Sequence, residues 1–265
     1  MEIRAKKSLG QNFLEDNKVL DNIIFNCNVS KEDLVIEIGP GKGALTKRLK
    51  KFNAELIAFE IDERLSNILK KLEDNKTKIV FGDFLKMDLE KFINKKYRKI
   101  HVIANIPYYI TSLIIKKVLE SQIIVDEMIL MVQKEVADRL SASCKTKAYG
   151  SLTIYCNVKY DVEKLFNVAK TSFNPIPKVD SAIVKFTRAD KYDIKDMNVF
   201  VRLINDSFTL KRKTLKNNLK EYDWKMIYEI LKCYGYTEQV RAEEISVDIF
   251  VEIANSLCLK NEKLS

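Results

Sequence analysis

The chain has 265 residues, 46% of them apolar and 31% charged, with 46 lysines and arginines against 37 aspartates and glutamates for a net charge of +9. At roughly 100–200 residues per domain this is one large domain, or a large one with a small companion, and a real core excludes both disorder and a disulfide-stapled mini-fold. Residues 190–265 hold 13 basic and 13 acidic side chains, so the whole excess lies in residues 1–189, and a polyanionic partner would not be meeting a simple basic tail.

The N-terminus, MEIRAKKSLGQNF, is basic but has no apolar run of the kind a secretion signal needs, and residues 1–14 read as an extended lead-in. A helix is predicted over 16–27. Then LVIEIG (34–39), ELIAFE (55–60), KIVFGD (78–83), IHVIAN (100–105) and EMILMVQ (127–133) read as five buried strands. Between them, 43–52, 63–73, a short piece near 88–96 and 112–120 carry helical spacing. That alternation predicts a parallel sheet covered by helices on both faces. Residues 160–170 and 180–188 add two closing strands, joined by the turn FNPIPK. From about 190 the pattern is helical only, after the polar stretch RADKYDIKD (188–196). The expectation is therefore two domains, 1–189 and 190–265. No stretch approaches about 18 continuous apolar residues, so no membrane span is expected.

Gly39-Pro40-Gly41-Lys42-Gly43 follows the first strand and opens a helix, where glycines admit a ligand close to the backbone and free N–H groups face it. The spacing fits neither the dinucleotide fingerprint nor a P-loop. Glu60 ends the second strand, where a carboxylate can accept from both hydroxyls of a ribose. Asp83 ends the third, placed to accept from an exocyclic amine, with Phe84 flanking a base. Glu37 lies inside an apolar strand and needs a partner, either a loop amide or a cationic ligand. Acids at three strand ends disfavour a phosphate-bearing cofactor. They fit S-adenosylmethionine, which has a ribose, an adenine and a positive sulfonium. His101 is the only histidine and the five cysteines are scattered without a C-x-x-C pair, so no metal site is expected, and the thiols read as reduced and buried in a cytoplasmic protein.

The fourth strand ends in Asn105-Ile106-Pro107-Tyr108, which resembles the motif of amino methyltransferases, enzymes that modify exocyclic nitrogens of bases or amides. Such a nitrogen is a poor nucleophile because its lone pair is delocalised. The Asn105 side-chain oxygen and the backbone carbonyl before or at Pro107 can each accept one N–H, directing the lone pair toward a sulfonium methyl without a strong base. Tyr108 can stack on a base taken out of its helix.

Four segments in this order, Ser8–Leu14, Glu37–Gly43, Asn105–Tyr108 and Phe173–Ala182, resemble the rRNA adenine N6,N6-dimethyltransferases. That family divides into housekeeping enzymes acting on two adjacent adenines of small-subunit rRNA and resistance enzymes acting on large-subunit rRNA. Lys211–Leu219 and Arg241–Ser246 resemble the small-subunit branch, and the likeness spans about residues 6–256. It implies a class I (Rossmann-like) α/β methyltransferase with a mostly parallel seven-stranded sheet and a small all-α C-terminal domain that binds rRNA. It implies cofactor contacts at Asn12, Leu14, Gly39, Gly41, Glu60, Asp83 and Asn105. Catalytic roles fall on Asn105, Pro107 and Tyr108, and Phe173 is either a second stacking face or a packed aromatic beside a proline turn. The implied partner is small-subunit rRNA on an assembling subunit, met by a monomer. A large-subunit resistance enzyme and a non-catalytic assembly or transcription factor on the same scaffold are the alternatives. Ile106 and Tyr109 stand where relatives often carry Leu and Asn, and Tyr109 bears on pocket shape.

For the RNA, Arg4, Lys6 and Lys7 form a basic arm before the Gly-Gln-Asn-Phe segment. Residues 211–220 put Lys213, Lys216 and Lys220 on one helical face, at i, i+3 and i+7, which could contact phosphates. Lys86, Lys91, Lys95, Lys96, Arg98 and Lys99 read as a solubilising stretch.

Overall fold

The computed structural model describes residues 3–93 and 95–262, without the side chains of Lys7 and of residues 260–262. The Lys7 part of the basic arm therefore lies outside the described residues. The chain forms two compact units, one of residues up to Ala137 plus Glu163–Arg188, the other of Asp138–Val162 plus everything from Ala189 onward.

The first unit opens with β1 (Phe13–Leu14) and α1 (Asn17–Phe25), whose first N–H groups are capped by Asp16. β2 (Leu34–Ile38), α2 (Thr46–Leu49), β3 (Glu55–Glu60), α3 (Ser66–Leu69) and β4 (Thr77–Phe81) follow in alternation. Next come β5 (Ile100–Asn105), α4 (Thr111–Glu120) and β6 (Glu127–Gln133). α5 (Lys134–Leu140) carries the chain into the second unit, which holds α6 (Ser151–Asn157), and β7 (Tyr160–Val168) returns it to the first, followed by β8 (Phe173–Asn174) and β9 (Ser181–Arg188). Seven of these strands make one sheet in the order β4-β3-β2-β5-β6-β9-β7, parallel from β4 to β6 and antiparallel where β9 meets β6. All five residues of β2 are buried, as a strand covered on both faces requires. α4 turns Ile114, Ile115, Val118 and Leu119 inward, and burying each such side chain fully is worth about 1.5–3 kcal/mol.

The chain leaves β2 toward β3 and β4 on one side, then returns to place β5 on the other. The switch point therefore lies between β2 and β5, where their carboxyl ends part and open sheets leave a crevice. At the opposite end, buried His101 on β5 reaches Asp33 at 3.1 Å, and Arg98 holds both oxygens of the same carboxylate. Glu127, 3.5 Å from the imidazole, pairs with Lys185 at 2.8 Å. The lone histidine thus braces strand starts far from the crevice. His101→Leu should cost about 1–3 kcal/mol of folding free energy by leaving buried acceptors short of a donor, read as a lowered urea midpoint.

The second unit contains α7 (Met197–Ser207), α8 (Leu215–Asn218), α9 (Trp224–Cys233) and α10 (Val247–Glu262). Its core corrects the expected domain limits: Tyr149, Ile154 and Val158 pack in the same apolar cluster as Phe200, Leu203, Leu231 and Phe250. Residues 138–162, read as part of the first domain, therefore belong with the C-terminal helices. A second correction concerns the basic face. α8 is one turn long, so Lys213 and Lys220 lie outside it, and Lys216 is held by Glu238 at 2.7 Å beside the Trp224 ring. Arg212 and Lys213 are exposed on the turn before α8, and Lys220 is exposed beyond its end. No disulfide forms among the described residues, but only Cys156 and Cys258 are buried, and Cys233 is exposed. Among the described residues no helix is long and apolar enough to cross a membrane.

Candidate active site

The carboxyl ends of β4, β3, β2 and β5 stand side by side and carry Asp83, Glu60, Gly39 and Asn105 in that order. Together with the lead-in segment they enclose a cavity of about 290 Å³. Asn12, Leu14, Gly39, Gly41, Glu60, Asp83, Asn105, Pro107, Tyr108 and Phe173 all line it, so residues from both ends of the first unit's sequence meet in one space.

Gly39 adopts φ +72°, and a Cβ there would sit 3.2 Å from the Asn105 carbonyl oxygen, so glycine is what lets the ends of β2 and β5 lie this close. Gly41, at φ +57°, faces the Phe13 ring, which a Cβ would approach to 3.1 Å. Glu60 works first on this loop: its oxygens accept from the N–H groups of Gly41 at 3.0 Å and Asp62 at 2.9 Å. Burial raises its pKa, and those two backbone bonds offset part of the rise. Each oxygen keeps a second lone pair for a hydroxyl donor from a ligand. Asp83 accepts from the N–H of Leu85 at 3.0 Å, starting the turn that carries Phe84, which is packed edge-on against Phe59.

Glu37 is 1% exposed and lines the cavity, and neither of its oxygens completes a hydrogen bond. The Thr46 hydroxyl on α2 tempers the cost of burial without reaching bonding geometry, and Glu60 adds like-charge repulsion. Burial dominates, and the carboxyl is pushed up to about 8. The backbone N–H of Thr46 eases the burial in the same sense, so of the two sequence alternatives for Glu37 the amide is represented only by this incomplete contact.

Past the end of β5, Pro107 starts a tight turn, Tyr108–Ile110, in which its carbonyl accepts from the Ile110 N–H at 3.2 Å. The hydroxyls of Tyr108 and the buried Ser181 share a 2.6 Å hydrogen bond that fixes the ring, and burial raises the phenol's pKa. Phe173 is 4% exposed, paired through its backbone with Leu14 in the short β1–β8 ladder and packed among Leu14 and Leu20. It is a cavity wall as well as a core residue. Tyr109 is 64% exposed at the rim, with its ring edge 3.0 Å from where a Gly10 Cβ would stand.

Asp62 and Arg64 escaped sequence reasoning, and Gln11 entered it only as part of the Ser8–Leu14 segment. Gln11 donates to Asp62 at 2.8 Å, Arg64 holds both oxygens of that carboxylate, and Asp62 is drawn down to about 2, chiefly by Arg64. The bracket ties the lead-in to the end of β3. Its sequence traces are Gln11 within the Ser8–Leu14 segment and Asp62 two residues beyond Glu60.

The fold matches the crystal structure of a dimethyladenosine transferase from Plasmodium falciparum, with a TM-score of 0.79, 28% identity and coverage of 95% of this chain and 98% of that one. It matches the 23S rRNA methyltransferase ErmE with a TM-score of 0.72 at 24% identity, covering 93% and 100%. This sheet order, with its crevice at the β2–β5 switch point, is that of a class I methyltransferase. The chain belongs to the ribosomal RNA adenine dimethylase family, whose sequence profile matches residues 2–258. Relatives named ribosomal RNA small subunit methyltransferase A are 42% identical in Listeria monocytogenes and 39% identical in Oceanobacillus iheyensis, each over 95% of this chain and 90% of the relative.

Proposed function

We propose that this chain transfers methyl groups from S-adenosylmethionine to N6 of two adjacent adenines near the 3′ end of small-subunit rRNA, giving N6,N6-dimethyladenosine during subunit assembly. The observation that carries the reading is the meeting of Asn105, Pro107 and Tyr108 with the Gly39–Gly43 loop and the strand-end acids in one cavity. The small-subunit choice is supported by the names of the relatives at 39–42% identity.

The residues present fit that cofactor. Glu37 offers two buried oxygens without a partner, suited to a cation, and Glu60 and Asp83 offer acceptors for hydroxyl and amine donors. Bound there, S-adenosylmethionine supplies an electrophilic methyl on a positive sulfur. The chain's own part is positional. Asn105 accepts one N–H of the adenine amine, a backbone carbonyl at Ile106 or Pro107 accepts the other, and the lone pair is left facing the methyl. Tyr108, its ring held through Ser181, gives the extruded base a stacking face, and Phe173 closes the wall behind. We assign rRNA binding to the second unit. Charge reversal at Arg212 and Lys213 should lower the salt slope of RNA binding by about 1 for each phosphate no longer neutralised, measured by titration at several salt concentrations.

The deciding experiment is incubation with methyl-labelled cofactor and separated ribosomal subunits, followed by mapping of the methylated base. Label as dimethyladenosine in small-subunit rRNA is expected. Label confined to large-subunit rRNA would replace the substrate assignment, and no label in either would defeat the enzymatic reading.

A further inference from the structure

A cavity floored by a carboxyl group with no partner raises the question of what that group does before and after a ligand arrives. Glu37 sits mid-sheet, between Ala58 of β3 and Ile103 of β5, with Thr46 of α2 above it. The charged groups of the surrounding elements are committed elsewhere, exposed to solvent as Lys47 is, or are themselves acids. Glu60 on β3 carries like charge and bonds Gly41 and Asp62; Asp62 is neutralised by Arg64. On α2, Arg48 is taken by Asp21 and Asn17, and Lys47 follows Thr46 on the same turn. In the loop, Lys42 is paired with Glu15 at 3.4 Å. β5 brings only His101, at the far end of the sheet with Asp33. Among the described residues no lysine or arginine pairs with Glu37.

A carboxylate without a cation is disfavoured in such a place, because ionising it there costs several kcal/mol that the Thr46 hydroxyl and N–H only partly offset. The group stays neutral instead. A cation entering the cavity reverses that balance, since an opposite charge within about 4–6 Å favours the ionised acid. We infer that Glu37 recognises the positive charge of the cofactor by surrendering its proton, so that cofactor binding is coupled to release of one proton to solvent. The neutral carboxyl gives its proton to the buffer, and the carboxylate left behind becomes the counter-ion of the bound cation. No bond other than that O–H is broken. The inference rests on the cofactor assignment above.

The sign follows from the raised pKa. Below about 8 the free protein holds the proton, and binding must remove it, so affinity should fall by about tenfold for each pH unit below that point. Above it the proton is already gone and affinity levels off.

The test is calorimetric titration of the intact protein with S-adenosylmethionine at pH 7, in buffers of different ionisation enthalpy, with dissociation constants measured from pH 6 to 9. Release of close to one proton, with affinity rising toward pH 8, is expected for the wild-type chain. Glu37→Gln should bind with no buffer-dependent heat and a flat pH profile. If that variant does not fold, loss of the protonated-carboxyl infrared band of the wild-type protein on adding cofactor reads the same event. A wild-type binding heat independent of buffer, or an infrared band unchanged on binding, overturns the inference while leaving the cofactor assignment standing. Failure to bind S-adenosylmethionine at any pH overturns both.

Discussion

Asn105→Ala is expected to lower single-turnover methyl transfer by about 10²–10³-fold or more, the loss typical of removing one preorganised polar group from a charge-developing centre. The side chain can be removed without disturbing its support. Asn105 is the last residue of β5, its backbone is in register with Met131 of β6, and the close approach of β2 involves its carbonyl rather than its amide. RNA binding should therefore survive, and circular dichroism should be unchanged. The measurement is the rate with saturating cofactor and rRNA substrate, beside a direct RNA titration. Transfer at the wild-type rate would remove Asn105 from the mechanism proposed for it.

Tyr108 separates two contributions. Tyr108→Ala removes a stacking face worth about 1–3 kcal/mol per base, so transfer should fall by about 5- to 150-fold. Tyr108→Phe keeps the ring but strands the Ser181 hydroxyl, which is fully buried and 2.6 Å from the lost oxygen. That variant should retain most of its transfer rate while losing about 1–3 kcal/mol of stability, seen as a lower urea midpoint. If Phe falls as far as Ala in rate, the hydroxyl rather than the ring is what Tyr108 contributes. If neither changes the rate, the residue only packs.

The core of the fold was legible because its elements are local. LVIEI, ELIAFE and EMILMVQ are almost wholly buried, and a strand covered on both faces reads as a near-continuous apolar run. Helices with a single buried stripe, such as 111–120 and 197–207, announce themselves by spacing. Spacing misled where it implied a helix that its neighbours did not extend. KRKTLKNNLK has helical periodicity, yet only Leu215–Asn218 is helical, and the turn before it holds its conformation through Asn218, which contacts the backbone of Ser207 and Leu210. The β1–β8 pairing was also invisible. Two-residue strands have no periodicity, and Phe13 pairs with Asn174 across most of the first unit's sequence.

The sequence by itself determined the sheet, the glycine loop and the chemical types at the strand ends, because parallel strands set those residues at one edge however the rest of the chain packs. Tertiary structure alone decided how they are used. It directed Glu60 to hold the loop as well as to face the cavity, and it fixed Tyr108 through a serine 73 residues away. It joined residues 138–162 to the C-terminal helices. It also left Glu37 without a partner, since whether a buried acid is paired depends on which side chains reach it in space, and spacing along the chain does not contain that distance.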